Sequence, residues 1–178
     1  PYFIWVSEVM LQQTRVATVV PYWQRWMEAL PDVYALARAT PEQLRKLWEG
    51  LGYYRRLEHL QQAARQIIRQ HQGRFPERFE DVFALPGVGR YTAGAICSIA
   101  FNQPAPVLDG NVTRVLSRWL GRAFSSHSPA AWAIAEQLVR EAARMQPVLL
   151  ASLNRNDGVD EIVRCPPCSA LNQALMEL

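Results

Sequence analysis

Two carboxylates and one glycine turn are where this sequence offers chemistry. Glu8 lies among Val6, Val9, Met10 and Leu11, with Gln12 and Gln13 one turn on. A carboxylate in such company is either at the exposed edge of its helix or a buried group with a raised pKa, the protonated form that a general acid needs. Asp109 stands in Val107-Leu108-Asp109-Gly110-Asn111-Val112, just before a predicted helix. Its plainest role there is an N-cap, accepting backbone N–H groups and favoured by the helix dipole. The sharpest local pattern is Leu85-Pro86-Gly87-Val88-Gly89-Arg90. Two glycines one residue apart permit positive φ and leave backbone N–H groups uncovered. With the helix start that follows, such a turn holds a phosphate oxygen, holds a monovalent cation through its carbonyls, or is simply a tight interhelical turn.

The elements that would position these groups are helical, and the fold class read from the periodicity is all-α. Val16, Val19, Val20, Trp23, Trp26 and Met27 recur at three- and four-residue steps, predicting a helix over 15–29 with one apolar stripe, closed by Pro31. Thr40-Pro41-Glu42-Gln43 reads as an N-cap, a first-position proline and a capping-box glutamine, with Leu44, Leu47 and Trp48 inward. After Gly50 and Gly52 a longer helix buries Leu57, Leu60, Ala64, Ile67 and Ile68 and ends near Gly73. Helices follow at about 91–101 and 111–120, and Ser128-Pro129 starts another that runs to Met145. Residues 146–170 have weak periodicity and a turn signal at Asn156-Asp157-Gly158, and a last short helix is expected at 172–178. There is no convincing strand, internal repeat or low-complexity segment.

Bulk properties set wide bounds. The 178 residues suit one domain or two small lobes, and 49% hydrophobic with 20% charged residues argues against wholesale disorder. The net charge of +3 is compatible with a polyanionic partner without requiring one. No apolar run is long enough to cross a bilayer, no signal peptide is visible, and no membrane partner is expected. The start at Pro1 without a methionine reads as a fragment or processed product. Three cysteines, Cys97, Cys165 and Cys168, form no disulfide framework and suit a reducing compartment.

Taken together, Glu-Val-Met-Leu-Gln-Gln-Thr at 8–14, Leu-Gly-Tyr-Tyr at 51–54, the 85–90 hairpin and Leu-Asp-Gly-Asn-Val at 108–112 occur in one order. That order closely resembles the adenine DNA glycosylases of the MutY type, in the helix-hairpin-helix superfamily of base-excision glycosylases. The resemblance covers about residues 1–145 and returns at Asn172-Gln173-Ala174-Leu175-Met176-Glu177-Leu178. It implies a two-lobed fold with a central cleft, one lobe from about 1–15 and 105–178, the other a six-helix barrel from about 16–104 carrying the hairpin. It implies that Glu8 protonates adenine at N7 and that Asp109 stabilises the oxocarbenium-like sugar cation, with Asn111 orienting the aspartate. That division of labour fits glycosidic cleavage, which wants one proton-donating carboxyl and one anionic carboxylate. Leu11, Gln12, Gln13 and Tyr53 would contact DNA, the two glutamines and the tyrosine as wedges filling the gap left by an extruded base. Leu85, Gly87, Val88, Gly89 and Arg90 would grip the DNA backbone. Tyr91 takes the place of the lysine that the endonuclease III kind uses as a Schiff-base nucleophile, so the resemblance favours base removal without strand cleavage.

The implied partner is double-stranded DNA with a mispaired or damaged base, bound by a monomer inside the cell. Thymine- or uracil-removing sister enzymes, or a DNA-binding fragment without catalysis, remain open readings. The family carries a 4Fe–4S cluster on C-x6-C-x2-C-x5-C after the Asn-Gln-Ala-Leu-Met-Glu-Leu helix, and that motif is not in this chain. Either the natural protein continues beyond Leu178 and supplies the ligands, or the cluster is absent. Cys165-Pro166-Pro167-Cys168 lies upstream of that helix and reads as an unassigned loop, since two cysteines cannot hold a four-cysteine cluster.

Overall fold

Cap residues start several helices, at Thr40 and Asp109 where the sequence predicts them and at Asp32 where it does not. The Asp32 carboxylate accepts from the Ala35 N–H at 2.7 Å and the Thr40 hydroxyl from the Gln43 N–H at 3.2 Å. Asp109 Oδ1 accepts from the Val112 N–H at 2.8 Å. Each such cap contributes about 1 kcal/mol. Gln43 supplies the backbone N–H to the Thr40 hydroxyl, and Glu42 stands at the second helical position. Hydrogen bonds from its own N–H and from the Thr40 hydroxyl hold the Glu42 carboxyl below its usual range.

The computed structural model of the protein describes residues 1–153 and 166–177, and side chains for 1–144 and 166–176. Every regular element among them is an α-helix, as expected: α1 Tyr2–Leu11, α2 Val16–Ala29, α3 Val33–Arg38, α4 Pro41–Trp48, α5 Arg55–His71, α6 Phe79–Phe83, α7 Arg90–Phe101, α8 Gly110–Trp119, α9 Pro129–Leu153 and α10 Pro167–Glu177. None of the described helices is long and apolar enough to cross a membrane. The chain divides into two compact units, Pro1–Thr92 and Ala93–Leu178.

In the first unit α1 packs on α2 and α5, α2 on α4, and α3 along α5. The core holds Trp5, Met10, Trp26, Leu36, Trp48, Leu60 and Ile67, all fully buried. Trp26 meets Trp48 edge-on at 5.6 Å between centroids, a geometry that contributes about 0.5–1.5 kcal/mol beyond the area it buries. Tyr2 ties helix ends together. Its hydroxyl donates to the Leu30 carbonyl at 2.7 Å and accepts from Trp26 Nε1 at 3.2 Å.

The apolar stripe of α2 is only partly inward. Val19 and Trp26, two turns apart on one edge, are buried, whereas Val16 and Val20 on the other edge are 65% and 46% exposed. Trp23 lies between them and donates Nε1 to the Phe3 carbonyl at 3.2 Å. Helices α3 and α6, of six and five residues, escape the periodicity argument because neither completes two turns.

In the second unit α10 packs on α8 and α9. Helix α9 continues to Leu153, past the predicted end and through Pro147, which forgoes one backbone donor. Helix α10 begins at Pro167 rather than at 172, so Pro167 and Cys168 are helical and not a loop. Proline at a first helical position is pre-organised for it. The predicted turn at 156–158 and Cys165 lie outside the described residues.

Candidate active site and nucleic-acid interface

Glu8 is on the second turn of α1 and half-buried, between the exposed and the buried alternatives that its sequence context left open. Leu11 ends α1, and the chain turns through Gln12 and Gln13. Gln13 has φ +58°, in the left-handed region, and so has Tyr53 at φ +48°, next to Gly52 at +74°. For residues with a Cβ this conformation is uncommon and costs energy, so it persists only where the surroundings enforce it. Tyr53 is also 62% exposed, an aromatic ring held out into solvent.

What enforces both turns is Arg56, which the sequence reading overlooked. Its Nη1 donates to the carbonyls of Val9 at 2.9 Å, Met10 at 2.9 Å and Gln12 at 2.6 Å. Its Nη2 donates to Leu51 O at 3.3 Å, Gly52 O at 3.2 Å and Thr14 Oγ1 at 3.5 Å. The guanidinium carbon lies 5.3 Å from the centroid of the Trp48 ring and 5.4 Å from that of Tyr53. Val9 and Met10 carry carbonyls at the C-terminal end of α1, where intrahelical partners run out and the dipole is negative. Burial lowers the pKa of the guanidinium from its ordinary value, the nearby Tyr53 opposing the shift, and an arginine remains cationic at neutral pH even so. The signal was present: Arg56 precedes Leu60 by four residues and Ala63 by seven, on the inward face of α5.

The 85–90 hairpin packs from the same unit. Leu85 and Val88 are buried, and the Val88 N–H donates to the Leu85 carbonyl at 3.1 Å. Gly87 has φ +76°, and a Cβ there would stand 2.7 Å from Cβ of His59. Gly89 differs from expectation. It is not in the left-handed region, and a Cβ there would meet nothing within 4 Å. Its side of the turn, just before α7, is bare backbone facing open space. Gln12 Nε2 lies 3.5 Å from Thr92 Oγ1, and a narrow crevice between Val9, Gln12, Arg56, His59, Pro86 and Gly87 joins the α1 turn to the hairpin. Arg90 is exposed and Tyr91 half-buried in the first turn of α7. Thus Leu11, Gln12, Gln13, Tyr53 and the hairpin residues belong to one unit, with Arg56 and His59 beneath them.

Asp109 and Asn111 belong to the other unit. Asp109 is the N-cap that its context suggested, with Oδ1 on the Val112 N–H, and its carbonyl accepts from the Thr113 hydroxyl. Only one carboxylate oxygen is so engaged among the described residues. Asn111 donates Nδ2 to the Met176 carbonyl at 3.4 Å and accepts from Arg114 at 2.9 Å, linking α8 to α10. Its bonds therefore run to α10 and along α8 rather than to Asp109 itself. The segment leading to Asp109 is fixed from two sides. Buried Asn172 donates to the Ala105 carbonyl at 2.9 Å. Gly94 in α7 lets the Pro106 carbonyl come so close that a Cβ would stand 2.1 Å from it.

The cysteines do not fit a resident cluster. Cys168 is buried with Sγ 3.8 Å from the Val139 carbonyl, and Cys97 is buried too. Among the described residues no group of three or more His, Cys, Asp or Glu could hold a metal ion.

The described elements are helices, with a glycine hairpin before a helix start and a capped aspartate at the start of another. Residues 6–141 match the family described as HhH-GPD superfamily base excision DNA repair protein, and the chain belongs to that superfamily. It is similar to the adenine DNA glycosylase of Rattus norvegicus, 50% identical over 148 residues that make up 79% of this chain and 28% of the relative. The adenine DNA glycosylase of Homo sapiens is 51% identical over 146 residues, 79% of this chain and 27% of the relative. The chain thus spans under a third of the length of these relatives. A thermostable thymine-DNA glycosylase of solved structure shares the fold, with a TM-score of 0.75 at 22% identity, covering 100% of this chain and 85% of that one.

Proposed function

We propose that the chain is the catalytic core of a monofunctional DNA glycosylase that removes adenine mispaired with 8-oxoguanine or guanine. The observation that carries the reading is its similarity, at about half of the aligned positions over 79% of the chain, to proteins named adenine DNA glycosylase, beside a family match at residues 6–141, which hold Glu8, the hairpin and Asp109. In this reading Glu8 and Asp109 act on one extruded nucleotide. Extrusion costs a few kcal/mol of unstacking, about what a mispair already forfeits in part. Gln12, Gln13 and Tyr53 fill the vacated space, Leu11 supports them, and the exposed backbone at Gly89 meets a phosphate oxygen.

Glu8 delivers a proton to N7, so the base leaves with the glycosidic electron pair without becoming an anion. Asp109 faces the positive charge that develops on the sugar, held in place by its cap bond to α8. Asn111 keeps α8 in register with α10 and so fixes the aspartate indirectly. Water then adds to the anomeric carbon. Tyr91 cannot form an imine, so the backbone is left intact. The carbonyls of the 85–90 turn are also suited to a monovalent cation beside the bound phosphate. The proposed enzyme works as a monomer on double-stranded DNA inside the cell.

The test is base release across a panel of mismatches. Duplex carrying adenine opposite 8-oxoguanine should yield an abasic site that breaks only after alkali. Direct scission with a borohydride-trapped adduct would indicate a lyase instead. Release of thymine or uracil in preference to adenine would move the substrate to a sister class.

A further inference from the structure

One buried cation joins the turn after α1 to the turn before α5. Arg56 is 8% exposed, and among the described residues no carboxylate pairs with it. Its charge is balanced by five backbone carbonyls and a hydroxyl drawn from two segments more than thirty residues apart. Each segment ends in an exposed residue with a left-handed backbone, Gln13 on one and Tyr53 on the other. A core that needed only stability would fill this space with an apolar side chain, because a buried charge gains little net energy over one. What a planar guanidinium supplies is direction: its fork fixes the two turns in one relative orientation, and its face supports the Tyr53 ring. Neither strained residue could hold its conformation if its turn were free to relax.

We propose that Arg56 is a positioning residue that presents Gln13 and Tyr53 as one rigid insertion element. Loosening it uncouples base extrusion from DNA binding. The proposal rests on the reading of those residues as wedges.

The experiment uses Arg56→Lys, which keeps the charge but cannot span both turns. Hydrogen exchange reports the turns, and fluorescence of 2-aminopurine placed beside the mispaired adenine reports extrusion. Exchange at residues 12–14 and 51–53 should quicken together, and the rate of the fluorescence rise should fall by about 10–100-fold, with affinity for fully paired duplex nearly unchanged. Tyr53→Ala in the Arg56→Lys background should add much less than it does alone. Leu57→Ala, a core change on the same helix, controls for stability. If it slows extrusion as much as Arg56→Lys does, the arginine is a core residue only and the proposal is overturned. Parent-like extrusion in Arg56→Lys, while Tyr53→Ala and Gln13→Ala are slow, overturns it and spares the wedge reading. Unchanged extrusion in both of those alanine variants removes the wedge reading and the proposal with it.

Discussion

Gly87 and Gly89 are the same residue type one position apart, yet the protein needs them for different reasons. Gly87 carries a positive φ and presses on His59, so Gly87→Ala should lower stability by about 1–3 kcal/mol in urea unfolding. Gly89 meets nothing in its own chain, so Gly89→Ala should change stability by no more than about 0.5 kcal/mol. The same methyl should weaken duplex binding and flatten its salt dependence, because it lies where a phosphate is proposed to approach. Equal losses of stability in the two variants would remove that distinction. Two buried acids make a further residue-scale prediction. Burial pushes the Tyr2 phenol well above its ordinary range, with Asp32 adding to the rise and the Trp26 bond opposing it, and burial also raises the Cys168 thiol. Both groups hold their protons more tightly in the folded state than in the unfolded chain, which releases them from about pH 8.5 for thiol and 10 for phenol. The native state then binds more protons than the unfolded one, so stability falls as pH rises through that window. Urea unfolding from pH 7 to 11 should show the decline, and Tyr2→Phe should make it shallower, although the lost bonds lower the plateau. An identical slope in the variant would mean that Tyr2 does not contribute.

At the scale of elements, the second unit is organised to hold one short segment, 105–109, against α7 and α10. Gly94→Ala drives a methyl into the Pro106 carbonyl, backbone against side chain, with no flexible group to yield. It should cost about 1–3 kcal/mol or more and slow single-turnover base release more than it weakens DNA binding, because the segment it displaces ends at Asp109. Equal effects on both would place the damage elsewhere. Long helices and their caps were legible in the sequence, since Thr40, Asp109 and Ser128 each announce a helix and apolar steps of three and four follow. The two short helices were not, having too few turns to show a period. The start of α10 was hidden by two prolines and two cysteines that read as a loop, although Pro167 at its first position is a helix-start signal and Cys168 is a core residue. The motifs at 8–14, 51–54 and 85–90 were legible as strings, but the link between them was not. A buried arginine that binds carbonyls and a hydroxyl leaves no complementary charge in the sequence to find it by, only its place on the inward face of α5. Gly94 was equally silent, because its requirement is the nearness of a residue twelve positions on.

For the whole molecule, a net charge of +3 is small, so the proposed affinity for DNA must come from local arrangement more than from a general field. The proposed reaction asks two residues, Glu8 of the first compact unit and Asp109 of the second, to act on one nucleotide. Their variants separate chemistry from architecture, because asparagine caps a helix about as well as aspartate does. The decisive measurement is single-turnover release of adenine opposite 8-oxoguanine by the parent, Glu8→Gln, Asp109→Asn and the double variant, alongside duplex affinity and unfolding for each. The account predicts that each single change slows release by about 100-fold or more, that the double loses much less than the product of the two, and that affinity and stability stay near the parent values. Release at the parent rate by either single variant would contradict it.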